Sequence, residues 1–579
     1  MNPLKNLSRN RLTNALIAAF LLVVGIGLYA NSFHNAMFWD DDDFILKNRY
    51  IKDWQYLPKY FSENVIAGNY LLSNYWRPVL LLLFSVEWHL WQGWAPGYHA
   101  TSALFHAVDS ILLYGFLVLL FKNRGLAFAV SLIFLVHPLQ TEAVVYASAV
   151  SDSLATFFVL LSLIFYTRFR LGPGKKLKNI FYYSGALLLY PLGLMSKETA
   201  FMLPGYLFLV ELAMGKAALK QRAQSFLRFS WPFLVVAGLY LALRATVLNF
   251  NNTFNLYNEE NIFTANFSVR LFTFFRILSV YFGLLFLPLD LHVERSVPLA
   301  ASFFSPSVMG GAALCLGLLF LSVREYRRRP VVTFGILWFF VALFPSSNLI
   351  VPINALLYEH FLYLPLIGIF LAVIQYGWEG SQKIGMGKTA LGLLGGYLIF
   401  FSIITVNRNK DWHDPIRFYE DLLRHAPASY RVINNLGMSY AERGSLEKAE
   451  ETYKKAIALD PQNPVGHHNL AGIYRNTGRM DLAMETFQHA IHLDRGFIFS
   501  YKSLAQIYLD QGDYRSARAA LEAALPHTQE KPELLYLLFQ LAYEQKDSAG
   551  AKLYLKKALE LDPQNKNLRS LLKRIESPP

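Results

Sequence analysis

The chain has 579 residues and a formal net charge of +13; 54% of its residues are hydrophobic and 16% are charged. Soluble domains carry about 25% charged residues, so a soluble fold is excluded for most of the chain. The basic residues lie mainly in short loops between apolar segments, which favours a role in membrane orientation over nucleic-acid binding. The single cysteine, Cys315, excludes a disulfide within the chain.

The first apolar segment covers residues 12–30 and follows Lys5, Arg9 and Arg11. No small-residue cleavage pattern follows it. We therefore expect a retained membrane anchor with its N-terminus in the cytoplasm, rather than a cleaved signal peptide.

Four consecutive acids, Asp40 to Asp43, follow Phe38 and Trp39 shortly after this segment. Adjacent carboxylates repel one another and are costly at a membrane face unless something uses them. Two uses suit them: a general base that takes a proton from an attacking hydroxyl, or Asp40 and Asp41 as ligands of Mg²⁺ or Mn²⁺. The alternative is a solvated acidic cap on the first helix.

Thirteen apolar segments are candidate membrane helices, and several are shorter than the ~20 residues of a straight span. They lie near residues 12–30, 78–92, 98–121, 126–137, 152–170, 179–195, 200–213, 229–248, 268–288, 309–323, 332–344, 361–377 and 389–406.

Simple alternation of thirteen spans would put the basic loops 122–124 and 168–178 outside, against the positive-inside rule. Segment 78–92 carries Glu87 and His89 among tryptophans, and segment 268–288 is interrupted by Arg276. If these two segments do not cross, about eleven spans remain and the basic loops fall inside. Both odd counts place the C-terminal region on the non-cytoplasmic side.

On the outer loops, Arg77 precedes a proline at the start of segment 78–92. Its guanidinium fork suits a phosphate group, and a lipid headgroup is the alternative partner.

A 34-residue period runs through the C-terminal region and predicts four tetratricopeptide (TPR) repeats, at 430–463, 464–497, 498–531 and 532–565. Small alanines allow two helices per repeat to approach closely. We expect a leading helix over 414–425 and a polar terminal helix over 568–575. The residues in register are Leu436, Leu470, Leu504 and Leu538; Gly444, Gly478 and Gly512, with Lys546 in the fourth position; Ala449, Ala483, Ala517 and Ala551; and Ala456, Ala490, Ala524 and Ala558.

These patterns predict an all-α protein with two domains: a polytopic membrane domain at 1–410 and a TPR α-solenoid at 411–579. The concave surface of such a solenoid binds peptides or proteins. The alternative is a packing module for the membrane domain or for an oligomer.

Several short motifs resemble the TPR-containing branch of the GT-C glycosyltransferases, which in animals comprises the transmembrane and tetratricopeptide repeat O-mannosyltransferases. The resemblance covers nearly the whole chain, and the order of the parts is as specific as any single motif. The motifs are Phe38-Trp39-Asp40-Asp41 with Ile45 and Asn48, Tyr75-Trp76-Arg77-Pro78, Gly97-Tyr98-His99, His137-Pro138 with Thr141-Glu142-Ala143-Val144, Ser196-Lys197-Glu198, and Glu359-His360 with Tyr363-Leu364-Pro365.

The resemblance implies a GT-C-like membrane domain and an inverting transferase that uses a polyprenyl-phosphate-linked sugar. It implies that Asp40 is the catalytic base with Asp41 beside it, that Arg77 contacts the donor phosphate, and that Asp152 is a second outer-loop acid. Gln140 and His360 depart from the family pattern, which often has histidine and arginine at these positions.

The remaining candidates on the outer loops are His137, Glu142, Glu359 and His360, which we group with Asp152 as a second outer-loop site. Each has a structural alternative: His137 and Glu142 could end a helix, Asp152 could cap the next helix, and Glu359 with His360 could hold two helices together. Lys197 and Glu198 could form a local ion pair.

The predicted function is transfer of a hexose, such as mannose, from a polyprenyl-phosphate donor to a hydroxyl of a protein or other acceptor on the non-cytoplasmic side. The TPR repeats would bind the acceptor. We expect a multi-pass protein of a bacterial inner membrane with no nucleic-acid partner. The alternative is a non-enzymatic TPR scaffold for envelope or secretion complexes. A transporter is less favoured because charged residues lie at loop faces rather than paired at mid-membrane positions.

Overall fold

The computed structural model describes residues 3–69, 71–172, 176–214, 219–250, 261–528, 531–561 and 566–576. Every regular element within these ranges is helical, as predicted. The chain divides into two compact units, Met1–Asp414 and Pro415–Pro579. Parts of the predicted basic loops (173–175 and 215–218), of an outer loop (251–260) and the end of the fourth repeat (562–565) lie outside the described residues.

The first unit consists of helices that overlap all thirteen predicted apolar segments. In chain order these are α1 (Pro3–Tyr29), α2 (Pro78–Trp91), α3 (Ala95–Phe121), α4 (Arg124–Val136), α5 (Thr141–Val145), α6 (Val150–Leu171), α7 (Lys176–Leu194), α8 (Leu203–Ala213), α9 (Leu219–Ala245), α10 (Ile262–Ala265), α11 (Phe267–Phe286), α12 (Pro306–Glu325), α13 (Pro330–Leu343), α14 (Pro365–Lys383) and α15 (Gly387–Arg408).

Seven helices within the described ranges are long and apolar enough to cross a membrane, and eight if α4 and α5, which meet at a 54° bend, form one broken span. The chain is a multi-pass membrane protein. The predicted eleven spans also include shorter or more polar helices such as α8 and α13, whose 11 and 14 residues are fewer than a straight span needs.

Helix α11 runs without a break through Arg276, and its length and composition make segment 268–288, which the eleven-span count leaves out, a candidate span. The charge is tolerated because the guanidinium donates hydrogen bonds to the Pro298 carbonyl at 2.6 Å and to the Ser305 hydroxyl at 3.2 Å. In contrast, α2 has only 14 residues and is a short apolar helix, as expected for segment 78–92.

Helices α13 and α14 pack closely at two glycines. A Cβ atom built on Gly335 would lie 2.4 Å from the Gly368 carbonyl oxygen, and one on Gly368 would lie 2.2 Å from the Gly335 carbonyl oxygen. Both neighbours are backbone atoms that cannot move aside. Small residues allow such an approach where water provides no driving force between helices.

The second unit is a row of antiparallel helix pairs. Its helices are α16 (Pro415–His425), α17 (Tyr430–Glu442), α18 (Leu446–Leu459), α19 (Pro464–Asn476), α20 (Met480–Leu493), α21 (Ile498–Asp510), α22 (Tyr514–Ala524), α23 (Lys531–Glu544), α24 (Ser548–Leu561) and α25 (Lys566–Glu576). The eight alanines in register are at most 1% exposed, because each lies where two helices meet.

The turn inside each repeat needs a left-handed residue. Gly444, Gly478 and Gly512 have φ values of 77°, 78° and 75°, and Lys546, which occupies the fourth position, has φ 58°. The conformation is therefore set by the repeat and not by the residue type, because lysine pays a steric penalty here that glycine avoids.

Candidate functional site

The four acids lie where the chain turns sharply after α1. Trp39 has φ 64°, an uncommon conformation for a residue with a large side chain, and a π-helical turn begins at Asp42 and ends at Leu46. This kink separates neighbouring carboxylates into different environments. Asp40 is exposed, whereas Asp41 is buried.

Asp41 is bound into the protein. Its Oδ1 accepts hydrogen bonds from the backbone N–H of Ser148 at 2.7 Å and from the Ser148 hydroxyl at 2.5 Å, and its Oδ2 accepts one from the Phe38 N–H at 3.4 Å. Burial raises the pKa of Asp41 to about 7, although the Ser148 hydrogen bonds act in the opposite direction. Asp41 is thus held in place by Ser148 and Phe38, and its role as a metal ligand shared with Asp40 stays a prediction.

Asp40 is anchored through its backbone and not through burial. Its N–H donates a hydrogen bond to the Tyr146 hydroxyl at 2.7 Å, while its side chain stays exposed. An exposed carboxylate on a fixed backbone can meet a substrate hydroxyl.

The last two acids have local partners. Asp42 forms an ion pair with Lys47 at 2.7 Å, and Asp43 accepts a hydrogen bond from the Asn69 amide at 2.6 Å. Burial raises the pKa of Asp43 to about 6. Both side chains therefore stabilise the turn that follows Asp40.

Arg77 is the residue just before α2, where its side chain makes no capping hydrogen bond, and its guanidinium is buried. It pairs with the Glu198 carboxylate at 2.8 Å and lies 4.4 Å from the centre of the Tyr75 ring. Burial by itself would lower the pKa of Arg77, but the Glu198 carboxylate more than reverses this, so that the pKa is raised. Arg77 thus remains a cation, and Glu198 fixes its direction.

The neighbouring Lys197 forms a second buried ion pair, with Asp152 at 2.6 Å. The consecutive residues Lys197 and Glu198 therefore connect Asp152 on α6 to Arg77, which immediately precedes α2. The charges of Arg77, Glu198 and Asp40 all act on the Tyr75 hydroxyl. Asp152 acts in turn on Arg77, so that Asp40, Arg77 and Asp152 belong to one electrostatic neighbourhood around Tyr75.

Arg244 is a further cation in this neighbourhood that the sequence reading missed. It lies in the last turn of α9, is 4% exposed, and donates hydrogen bonds to the carbonyls of Asn74 and Leu248. Its charge acts on Glu198. The only sequence signal is a lone arginine at the end of an apolar helix.

The other candidates form a separate polar group. Glu142 accepts hydrogen bonds from His360, at 2.8 Å from the ring and 3.0 Å from the backbone N–H. Glu359 is fully buried and pairs with Arg408 at 3.4 Å. These contacts join α5, the turn before α14 and the end of α15. They agree with the alternative that Glu359 and His360 hold helices together.

His137 is fully buried within the helical packing. One ring nitrogen lies 3.0 Å from the Leu285 carbonyl, and the other accepts the Leu139 N–H at 3.2 Å. With both nitrogens engaged, the ring shapes the bend between α4 and α5. Asp152 lies in the first turn of α6, and its carboxylate is used by Lys197.

Comparison with known proteins identifies TPR repeats in the second unit. Residues 437–478 match the TPR repeat family, and residues 466–497 and 508–575 match Tetratricopeptide repeat families, which confirms the predicted TPR repeats. Among solved structures, the crystal structure of MamA covers 26% of this chain and 87% of its own at 23% identity, with a TM-score of 0.23.

Two similar curated proteins extend across the membrane unit. The human protein O-mannosyl-transferase TMTC3 is 24% identical over 79% of this chain, and the Mus musculus protein O-mannosyl-transferase TMTC4 is 25% identical over 75%. The aligned parts are 53% and 65% of those proteins, so the chain spans about half to two thirds of the relatives it matches. These similarities support a family of TPR-containing membrane proteins like the O-mannosyl-transferases.

Proposed function

We propose, from the similarity to TPR-containing protein O-mannosyl-transferases, that this chain is a membrane glycosyltransferase. It would move a hexose such as mannose from a polyprenyl-phosphate donor to a hydroxyl of a protein acceptor on the non-cytoplasmic side. The observation that carries this proposal is the exposed Asp40 carboxylate in one electrostatic neighbourhood with the buried Arg77 cation.

Asp40 is the general base in this mechanism. Its carboxylate takes the proton of the acceptor hydroxyl as that oxygen attacks the anomeric carbon. The bond between the anomeric carbon and the phosphate oxygen breaks, and polyprenyl phosphate leaves with the bonding electrons. A single displacement of this kind inverts the configuration at the anomeric carbon.

Arg77 and Arg244 stabilise the negative charge that grows on the departing phosphate. Glu198 holds the Arg77 guanidinium by two of its nitrogens, at 3.2 and 2.8 Å, so the phosphate approaches a preoriented cation. Within the neighbourhood, the pairs Arg77–Glu198 and Lys197–Asp152 cancel in charge, and the Arg244 cation balances the Asp40 carboxylate.

The test is an Asp40→Asn variant assayed as purified protein with a polyprenyl-phosphate mannose donor and candidate acceptor peptides. Removal of a general base lowers turnover by roughly 10²–10⁴-fold. The thermal unfolding temperature should hardly change, because Asp40 is exposed.

Asp42→Asn is the matched control, since Asp42 pairs locally with Lys47 and has no part in the proposed chemistry. Wild-type turnover in Asp40→Asn would remove Asp40 from the mechanism. If in addition the repeats alone restored the phenotype of a deletion strain, the chain would instead be a scaffold.

A further inference from the structure

A short 3-10 turn, Asn409–Trp412, follows α15 and packs against the loop that carries Asp40. Trp412 is 2% exposed. Its ring stacks on the Tyr146 ring, with centres 5.0 Å apart and planes at 22°, and lies 5.9 Å from the Phe38 ring. Trp412, Tyr146 and Phe38 have no role in the mechanism proposed above.

Polar contacts fix the same turn to the end of α1. The Asn35 amide donates to the Asn409 carbonyl at 2.8 Å, and the Asn409 amide donates to the Leu28 carbonyl at 3.0 Å and to the Asn31 side-chain oxygen at 2.8 Å. The Asn31 amide donates in turn to the Val406 carbonyl at 2.8 Å. Reciprocal bonds of this kind allow little sliding between the two segments.

Tyr146 connects this turn to the catalytic acid. One face of its ring lies against Trp412, and its hydroxyl accepts the hydrogen bond of the Asp40 N–H. The residue before Asp40 is the left-handed Trp39, whose ring lies 6.2 Å from the Tyr146 ring. A strained backbone persists only where its surroundings hold it, and these contacts supply that restraint.

We propose that Tyr146 and Trp412 are positioning residues for Asp40: Trp412 fixes the Tyr146 ring, and the Tyr146 hydroxyl fixes the backbone of the base. The inference rests on the proposed function, because it takes Asp40 as the reacting carboxylate. The consequence is that a segment at the end of the last membrane helix, about 370 residues from Asp40 in sequence, controls how well Asp40 acts as the base.

The activity test uses Tyr146→Phe and Trp412→Leu in the full chain. Tyr146→Phe keeps the ring stack and removes the hydroxyl, whereas Trp412→Leu removes the stack and keeps the hydroxyl. Each should lower kcat about tenfold or more with little change in the KM for the donor, since misplacement of a base slows the reaction step. Trp412→Phe should restore most of the loss.

A double-mutant comparison separates positioning from general damage. Combined with Asp40→Asn, neither Tyr146→Phe nor Trp412→Leu should lower kcat further, because the group through which they act is already gone. An independent, multiplicative loss in the double variants would overturn the proposal.

Amide hydrogen exchange tests the same inference without any activity. Exchange in a peptide that includes the Asp40 N–H should accelerate at least severalfold in Tyr146→Phe and in Trp412→Leu. Tyr397→Phe is the matched control, because it likewise removes a tyrosine hydroxyl that bonds to the backbone, in this case by donating to the Phe286 carbonyl away from this loop. Exchange equal to wild type in Tyr146→Phe would overturn the proposal.

The two readouts also separate this inference from the proposed function. Faster exchange with no measurable transfer by the wild-type protein would leave the structural link standing and refute the transferase. Normal exchange together with the expected loss in Asp40→Asn would refute the positioning role and leave the transferase intact.

Discussion

Asp40 and Asp41 show how one residue type takes two roles within a single turn. The left-handed Trp39 directs the chain so that Asp41 enters the protein and binds Ser148, while Asp40 remains exposed. A sequence pattern identifies the pair, but only the burial of each side chain distinguishes the base candidate from its supporting neighbour.

The buried Asp41 makes stability depend on pH. Its pKa is raised from 3.8 to about 7 by burial, so the folded state binds a proton that the unfolded state has lost. The stabilising contribution is fully present below about pH 4, and it is lost as the pH rises through about 7. The free energy of unfolding that Asp41 contributes differs between these two pH limits by on the order of 4 kcal/mol.

We therefore expect the unfolding temperature of the detergent-solubilised protein to fall between pH 5 and pH 8, and to fall less in Asp41→Asn, which cannot titrate. Thermal melts at matched ionic strength measure this. Asp42→Asn serves as the control, since it removes a neighbouring acid that pairs with Lys47 and keeps the Ser148 hydrogen bonds of Asp41, so most of the slope should remain. An identical slope in wild type and Asp41→Asn would refute the raised pKa.

The partners of the other site residues could not be predicted at this scale. Arg77 pairs with Glu198, which is 121 positions away, and Asp152 pairs with Lys197, which is 45 positions away. Local spacing carries no information about such pairs, because helix packing alone brings them together. The sequence motifs contain each residue, but the alternative considered there paired Lys197 with Glu198, whereas the structure pairs them with Asp152 and Arg77.

Among the secondary-structure elements, the TPR helices follow their sequence pattern closely. The 34-residue period placed leucines and alanines on buried faces, and the structure buries all eight alanines. The outlier is the turn at Lys546, where the repeat imposes a left-handed conformation on a residue that resists it.

Lys546→Gly should therefore stabilise the TPR unit by roughly 0.5–1 kcal/mol, and Gly478→Ala should destabilise it by roughly 1–2 kcal/mol. No atom within 4 Å would obstruct a Cβ at Gly478, so the second effect isolates backbone strain. Chemical denaturation followed by circular dichroism measures both. Changes of the same sign in the two variants would contradict this account.

The membrane helices follow the hydropathy pattern less closely in length than in position. Every predicted apolar segment overlaps a helix, yet several helices are shorter than a straight span. Hydropathy reports burial in lipid or in protein alike, so a short apolar helix inside the unit has the same signature as a crossing one.

For the whole molecule, the number of crossings decides on which side the TPR unit lies. The predicted eleven crossings, or the seven long helices alone, put it opposite the N-terminus, whereas eight crossings, or the predicted eleven with α11 added, put it on the same side. We expect a C-terminal alkaline phosphatase fusion to be active and a C-terminal green fluorescent protein fusion to be dark in bacteria. The reverse result would indicate an even number of crossings and refute the predicted sidedness.

A fusion in the basic loop 324–329, which is predicted to be cytoplasmic, provides the internal control for that experiment. Its reporter pattern should be opposite to that of the C-terminal fusion. The same pattern in both would show that the positive-inside assignment of the later spans is wrong.

The sequence by itself determined the all-α class, the membrane character of the first unit, the TPR register and the acids of the first loop. These follow from composition and from sequence periods of a few to 34 residues, which can be recognised without any long-range contact. Only the tertiary structure decided that Asp41 is buried, that Arg77 pairs with Glu198, and that Trp412 stacks on Tyr146. Such relations depend on which helix surfaces meet, and this is settled by packing across hundreds of residues rather than by any local pattern.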